Sequence, residues 1–260
     1  MGMRMRVALV LALALALPAA AHAQTRPSAK HKAPARAPAA PAEKAIDFSA
    51  DPNVKLLLEN DRTAVYRLDL PPQGSSALHR HSYDYLLLAL SRLDARAVWG
   101  KNESRSQNMG PGQMDIVTTP VEHQIVNQAA APYRALIVEL KAGFHPAYIV
   151  CGLGRRSCPT DTGDLQDPAG RYDVSELFET DTVAVLKMTI GPGATLARRT
   201  EKYPALRVAL SPLSLSDVVG DKTVAIHQDP GDAQWVPAEG THTLSNPTSD
   251  EARFYWIEFK

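Results

Sequence analysis

The protein has 260 residues, of which 45% are apolar and 22% charged, which is typical of a globular protein and excludes a collagen-like, coiled-coil or wholly disordered chain. Lysine and arginine number 28, as do aspartate and glutamate, so the formal net charge is zero. A chain without net positive charge gives no reason to expect nucleic-acid binding.

Residues 1–23 have the pattern of a secretory signal peptide. Arg4 and Arg6 form a basic start, residues 7–17 form an apolar run, and Ala21 and Ala23 fit the small-x-small rule for cleavage. The apolar run has 11 residues, whereas a membrane-spanning helix needs about 20. We therefore expect an exported protein, periplasmic or secreted, with no transmembrane segment; an uncleaved N-terminal anchor is the alternative.

Residues 24–44 differ in composition from the rest of the chain. Seven alanines, four prolines and five basic residues make up most of this segment, which has no large apolar side chain. Such a segment cannot bury enough apolar surface to offset the entropy lost on ordering. We expect a disordered, mildly basic tether that acts as a spacer, with contact to an anionic envelope surface as the alternative.

Residues 45–142 are predicted to form an all-β domain. Short apolar or alternating runs are separated there by clusters of glycine, proline and asparagine, which is typical of a sandwich or barrel. The clearest runs are Thr63–Leu70, 85–90, Met114–Val117 and 135–140. Residues 51–59 are instead a candidate for a short helix.

Two histidines in this domain lie at the start of a predicted strand, in the sequence His79-Arg80-His81. Side chains alternate along a strand, so His79 and His81 project to one face and Arg80 to the other. Two imidazoles on one face can take neighbouring positions around a metal ion. A third histidine, His123, follows later in the domain and could complete such a site.

The only two cysteines, Cys151 and Cys158, lie in a stretch rich in glycine and arginine. Their spacing is not a recognised zinc spacing, and in an oxidising compartment two nearby cysteines most often form a structural disulfide. Closing so short a loop contributes about 2–3 kcal/mol or less to stability. We place this disulfide in a connector, residues 143–179, in which residues 173–179 are another candidate for a short helix.

The C-terminal residues, 180–260, repeat the first domain at an offset of 119 positions. This offset aligns residues 134–141 with 253–260, and it also relates His123 to His242 and Gly74 to Gly193. The second unit again has short apolar runs, at residues 182–190, 206–210, 223–227 and 254–259. We therefore predict a duplication of one β-rich unit of about 80–100 residues.

With this duplication the sequence resembles a bicupin, a protein with two cupin domains. Cupins have a first motif with the histidine pair after a glycine, here Gly74, and a second motif that Pro120, His123 and Asn127 follow in a shortened form. The resemblance implies two tandem double-stranded β-helices, or jelly-roll barrels. It also implies one divalent transition metal ion, bound in the N-terminal barrel.

The sequence departs from the cupin pattern at the glutamate that follows the histidine pair. Tyr85 takes its place, and Asp84 lies one position earlier. Strand parity puts Tyr85 on the face of His81 and Asp84 on the opposite face. We expect a three-histidine site with Tyr85 or water nearby and keep Asp84 as a less favoured fourth ligand; histidines that only fill the barrel are the alternative. Further candidates for lining the barrel mouth are Tyr66, Tyr83, Glu122, Asn127 and Arg134.

The second repeat lacks the histidine pair. The sequence Leu196-Ala-Arg-Arg199 takes its place, and of the expected ligands only His242 remains. One imidazole cannot hold a metal ion, so we expect a degenerate, metal-free C-terminal barrel in which His242 is structural.

Three neutral imidazoles would leave a bound ion with open coordination positions, as in catalytic sites. Ligand type does not choose among Fe, Mn, Ni, Cu and Zn. By the resemblance, we expect oxygenase- or isomerase-type chemistry on a small organic molecule. A non-catalytic module that binds a metal or a small ligand, and a protein whose metal only stiffens the fold, are the alternatives. Because two barrels in one chain can pack against each other, we expect a monomer or a weak homodimer.

Overall fold

The computed structural model describes residues 44–99, 103–144, 148–158, 167, 169–196, 199–238 and 240–260. All of them belong to one compact unit, Ala42–Lys260. The predicted signal peptide, and the predicted tether apart from Lys44, lie outside the described residues. Within the described residues, no helix is long and apolar enough to cross a membrane.

In the N-terminal half, two sheets face each other and form the first barrel. Their strand orders are β1-β4-β9-β6-β7 and β2-β3-β10-β5-β8, with all pairings antiparallel except that of β1 with β4. A single 3₁₀ turn, Phe48–Ala50, joins β1 to β2. The strands are β1 (Ile46–Asp47), β2 (Val54–Glu59), β3 (Thr63–Leu70), β4 (His79–His81), β5 (Asp84–Ala89), β6 (Leu93–Trp99), β7 (Glu103–Met109), β8 (Met114–Val117), β9 (Val121–Asn127) and β10 (Tyr133–Leu140).

The C-terminal half repeats this arrangement as a second barrel. Its sheet orders, β11-β12-β19-β14-β17 and β13-β18-β15-β16, match those of the first barrel strand by strand, except that β1 has no counterpart among the described residues. The all-β fold and the duplication are thus confirmed. The strands are β11 (Tyr172–Glu179), β12 (Val183–Ile190), β13 (Arg199–Thr200), β14 (Ala205–Ala209), β15 (Leu213–Val219), β16 (Lys222–Gln228), β17 (Ala233–Val236), β18 (Thr241–Ser245) and β19 (Ala252–Phe259).

Strand β10 contributes to two apolar cores at once. Ala135 and Ile137 face the interior of the first barrel, whereas Leu136 and Val138 pack against the second barrel. Both faces of the strand are buried, which explains its nearly continuous apolar sequence. The core between the barrels includes Leu86, Val138, Leu206, Val208 and Ile257. The two barrels therefore cover each other's outer apolar surface.

The two short helices predicted at residues 51–59 and 173–179 are wrong, because most of each segment forms an edge strand, β2 or β11. Each strand carries an irregularity, between Leu56 and Leu58 in β2 and between Glu176 and Phe178 in β11. A bulge inserts one extra residue and breaks the alternation by which a strand is recognised. Strand β11 pairs with β12, so the second barrel begins within the residues that we had assigned to the connector.

The predicted disulfide between Cys151 and Cys158 is present, with the two Cα atoms 4.8 Å apart. Cys151 is fully buried and bridges to Glu179 at the end of β11. The disulfide closes a loop within the connector, and the backbone bridge from Cys151 to Glu179 joins this loop to the first strand of the second barrel. Glu176 lies near both sulfur atoms, but sulfurs that are bonded to each other are not thiolate ligands, so these three residues are not a metal site.

Candidate metal centre

The cross-strand register of the first barrel brings three histidines together. His79 and His81 lie on one face of β4, and His123 of the adjacent strand β9 is directly opposite His79. One nitrogen of each ring lies within 4.8 Å of the other two, and the three residues are 0%, 5% and 5% exposed. The ring centroids are 4.7 to 5.4 Å apart. The three predicted ligands thus converge inside the barrel.

The tautomer of His79 is fixed by the backbone. Its Nδ1 donates a hydrogen bond to the carbonyl oxygen of Ala77 at 3.0 Å, which leaves Nε2 with a free lone pair. Nε2 is buried and has no hydrogen-bond partner. A buried polar atom without a partner is costly, and a metal ion would satisfy it. A hydrogen bond from the other ring nitrogen to a carbonyl or carboxylate is the usual arrangement of a metal-ligating histidine.

The ring of His81 is held between two aromatic side chains. Phe48 stacks on the ring at a centroid distance of 4.4 Å and Tyr85 at 4.1 Å, with interplanar angles below 30°. Phe48 also contacts His79. The Nδ1 atom of His81 has no hydrogen-bond partner, and Oε1 of Glu139 lies 3.8 Å from it. Aromatic packing therefore fixes the plane of this imidazole.

The environment keeps all three imidazoles neutral. Burial lowers the pKa of His79. Burial and the neighbouring histidines lower the pKa of His81 to about 2, and burial with His79 nearby lowers the pKa of His123 to about 3. Neutral imidazole is the form that binds metal. Three converging neutral rings, one with an orphaned Nε2, fit a divalent transition metal ion.

These lowered pKa values predict acid sensitivity of the metal-free protein. The unfolded chain takes up protons near the ordinary histidine pKa of 6.5, whereas the folded site does not. The contribution of the histidines to stability is therefore complete above about pH 6.5 and falls as the pH drops below it, by up to about 1.4 kcal/mol per pH unit for each histidine. Glu139, whose pKa is raised to about 7 by burial, contributes with the opposite sign below pH 7 and offsets about one histidine's share. Urea unfolding of the protein in EDTA between pH 7.5 and pH 5 measures this slope. His81→Gln should reduce it by one histidine's share; an unchanged slope would contradict the assignment.

A cavity of about 400 Å³ meets the cluster at His123 and Tyr85. Its wall carries polar, charged and aromatic side chains, among them Trp99, Arg105, Gln107, Asp115 and Glu122. Arg105 forms no ion pair with the described residues. The cavity is large enough for a small organic molecule and gives it access to the histidine cluster.

Two of the sequence-based candidates, Tyr85 and Glu122, line the cavity. Tyr85 is buried, stacks on His81 and lines the cavity, and Glu122 lies on the cavity wall.

Asp84 is not placed as a fourth ligand, because it anchors two loops. Its Oδ1 accepts hydrogen bonds from the backbone and hydroxyl of Thr119 at 2.6 and 2.9 Å, and its Oδ2 accepts one from the backbone of Phe144 at 2.7 Å.

Four other candidates do not line the cavity, which corrects the sequence-based assignment. Tyr83 is 39% exposed, and Tyr66 packs edge-on against Phe48 inside the barrel. The amide of Asn127 bonds to backbone groups of a neighbouring turn. Arg134 lies on the outer face of its sheet, near Asp69. Asn127 thus has a structural role, which explains why it recurs in the second barrel as Asn246.

Sequence reasoning missed three buried residues around the histidines: Phe48, Asp51 and Glu139. Burial raises the pKa of Glu139 to about 7. Strand parity could have found it, because Glu139 shares its face of β10 with Ala135 and Ile137, which point into the barrel. Nothing in the motif pattern could have placed Phe48, which lies in the 3₁₀ turn outside the repeat.

The second barrel contains an arginine where the first has apolar side chains. Arg207 is 2% exposed, and its guanidinium donates hydrogen bonds to the side-chain oxygens of Gln228, at 2.7 Å, and Gln234. Asp217 accepts a 2.8 Å hydrogen bond from His242. Burial lowers the pKa of Arg207 to about 10, while the charge of Asp217 acts in the opposite direction. His242 is thus part of a polar network, and no group of three metal-ligating side chains occurs in the described part of this barrel.

No protein-family model matches the sequence, and no curated protein is similar to it. Solved structures do match. One is a salicylate 1,2-dioxygenase mutant from Pseudoaminobacter salicylatoxidans in complex with gentisate, at 13% identity and a TM-score of 0.55, over 79% of this chain and 74% of that chain. Another is an oxalate decarboxylase from Bacillus subtilis, studied for its Mn(II) centres, at 15% identity and a TM-score of 0.54, over 83% and 76%.

A third match is a cupin 2 conserved barrel domain protein from Leptotrichia buccalis, at 12% identity and a TM-score of 0.50, over 80% and 88% of the two chains. Structural similarity at such low sequence identity establishes the fold alone. The protein therefore has a two-barrel cupin fold, as the motifs suggested.

Proposed function

We propose that the protein is an exported, metal-dependent enzyme that acts on a small organic acid in its N-terminal barrel, by oxygenase- or isomerase-type chemistry. The observation that carries this proposal is that the cluster of His79, His81 and His123 borders, through His123, a cavity of about 400 Å³. A closed structural site would have no such access. The dioxygenase and the decarboxylase of the same fold act on small carboxylic acids, as their names state.

The residues around the cavity have distinct tasks in this proposal. A bound ion would supply Lewis-acid or redox chemistry. Arg105, which has no ion-pair partner among the described residues, would hold the substrate carboxylate, because a guanidinium matches carboxylate geometry. Glu122 is a cavity-lining carboxylate that could take or release a proton, and Tyr85 covers one face of His81.

Export is supported by the signal pattern of residues 1–23 and by the disulfide, since disulfides persist in oxidising compartments. A monomer or weak homodimer is supported by the mutual packing of the barrels, which buries outer apolar faces within one chain.

The test compares metal-loaded protein with its His123→Gln variant in a mixture of small organic acids and in a small-metabolite extract. Gentisate, salicylate and oxalate belong to the mixture, and untargeted mass spectrometry follows every component. We expect at least one acid to be converted by the parent protein and not by the variant, with slower conversion by Arg105→Met at unchanged metal content. Acids that bind but are never converted would contradict the enzyme proposal in favour of a binding module.

A further inference from the structure

We propose that Glu139 is a positioning residue of the metal centre, whose carboxylate holds the Nδ1–H of His81 so that Nε2 of this ring is offered to the ion. This inference rests on the proposed metal binding. It explains which group accepts the hydrogen bond from the Nδ1–H of His81 when this ring binds the ion. His79 has a backbone carbonyl on its Nδ1, whereas the buried Nδ1 of His81 has no hydrogen-bond partner.

The group nearest to that orphaned nitrogen, among the ion-pairing side chains described, is Oε1 of Glu139 at 3.8 Å. An imidazole that binds a metal through one nitrogen carries its proton on the other, and this N–H is normally donated to a carboxylate, a carbonyl or water. The 3.8 Å separation exceeds a direct hydrogen bond. A small rotation of the carboxylate would close it, and one water molecule could also bridge it.

The sheet explains why a carboxylate lies behind His81. Glu139 is paired directly with Tyr85 across strands β10 and β5, and Tyr85 stacks on His81. Tyr85 occupies the position at which the cupin motif has a glutamate. The carboxylate missing from that position is thus replaced by one on the adjacent strand. It is not within 4.8 Å of all three ligand nitrogens, so it would act through His81 rather than on the ion.

Glu139 has no competing structural role as an ion-pair partner. It is 6% exposed, and no lysine or arginine of the described residues lies within 4.0 Å of its carboxylate. A buried carboxylate without a cationic partner is unfavourable unless another group stabilises it. A protonated Nδ1 of a metal-bound His81 would provide that group. Oδ2 of Asp51 likewise lies 3.8 Å from Nδ1 of His79, but the Asp51 carboxylate also accepts hydrogen bonds from backbone groups.

The experiment uses Co²⁺ alone as the probe and compares the mature protein with Glu139→Leu and Glu139→Gln. Glutamine keeps an acceptor oxygen without the charge, so Glu139→Gln should retain part of the Co²⁺ affinity that Glu139→Leu loses. Glu258→Gln is the matched control, because Glu258 is the equivalent residue of the second barrel, on β19. Circular dichroism and melting in EDTA report whether each variant is folded.

For Glu139→Leu we expect one Co²⁺ per chain with about 10- to 100-fold weaker affinity and a changed visible absorption spectrum. Glu139→Gln should be intermediate, and Glu258→Gln should match the parent. A folded Glu139→Leu or Glu139→Gln variant with parental affinity and spectrum would overturn the inference and leave the proposed metal site intact. If the parent protein binds no Co²⁺, the proposed function fails as well.

Discussion

Substitution of Arg207 by methionine is expected to lower the free energy of unfolding by about 2–3 kcal/mol, because the buried side-chain oxygen of Gln228 then loses its charged donor. Arg207 lies inside the second barrel and holds the side-chain oxygens of Gln228 and Gln234. Its charge also offsets that of the buried Asp217. Urea unfolding at pH 7.5, followed by circular dichroism, measures the change.

Two controls distinguish the effect on stability of removing the buried charge from the effect of losing the packing of the arginine side chain. Arg134→Met makes the same change on the outer face of the first barrel, where the side chain is 62% exposed, and should alter stability by about 0.5 kcal/mol or less. Combining Arg207→Met with Asp217→Asn should recover part of the loss, because the uncompensated carboxylate is then gone. Equal stability of the Arg207→Met variant and the parent would show that the guanidinium does not support the barrel.

Substitution of His123 by glutamine is expected to reduce metal affinity by more than about 100-fold. Loss of a hydrogen-bond partner behind a ligand costs up to about 100-fold, and loss of the ligand itself should cost more. His123 completes the three-nitrogen group with His79 and His81 and is the member that lines the cavity. Two imidazoles would remain, and an amide oxygen is a poorer ligand for these metals than a neutral imidazole. Competition with a chelator of known affinity measures the change for Zn²⁺ or Mn²⁺.

His242→Gln is the matched control for this prediction. His242 occupies the equivalent position in the second barrel but bonds to Asp217. Its replacement should lower stability and leave metal affinity unchanged. Similar losses of affinity in both variants would point to an indirect effect on the fold rather than to ligation.

The interiors of the two barrels hold different polar groups, although both come from one duplicated unit. In the first, three neutral imidazoles converge and one ring nitrogen lacks a partner. In the second, Arg207 supplies a positive charge from the chain itself, and Asp217 and His242 are bonded to each other. These polar groups of the second barrel thus have partners within the chain, whereas those of the first leave a ring nitrogen without one.

The cluster of three histidines could be predicted because its signals are local. Strand parity places His79 and His81 on one face, and the second motif identifies His123. Glu139 was equally accessible through parity but carries no motif. Edge strands β2 and β11 were mistaken for helices because an irregularity in each interrupts the alternation.

Other features depend on long-range pairing that no local pattern encodes. The loop contacts of Asp84 with Thr119 and Phe144 join segments far apart in the chain. Phe48 reaches the histidines only because β1 pairs in parallel with β4, outside the repeated unit.

The most direct test of a metal centre in the first barrel is elemental analysis of the protein beside its His79→Ala/His81→Ala variant and an exposed-histidine control, His227→Gln, all loaded and dialysed together. We expect close to one transition metal ion per chain in the parent and the control, and almost none in the double variant. Equal metal content in all three proteins would contradict the assignment of the site to these histidines.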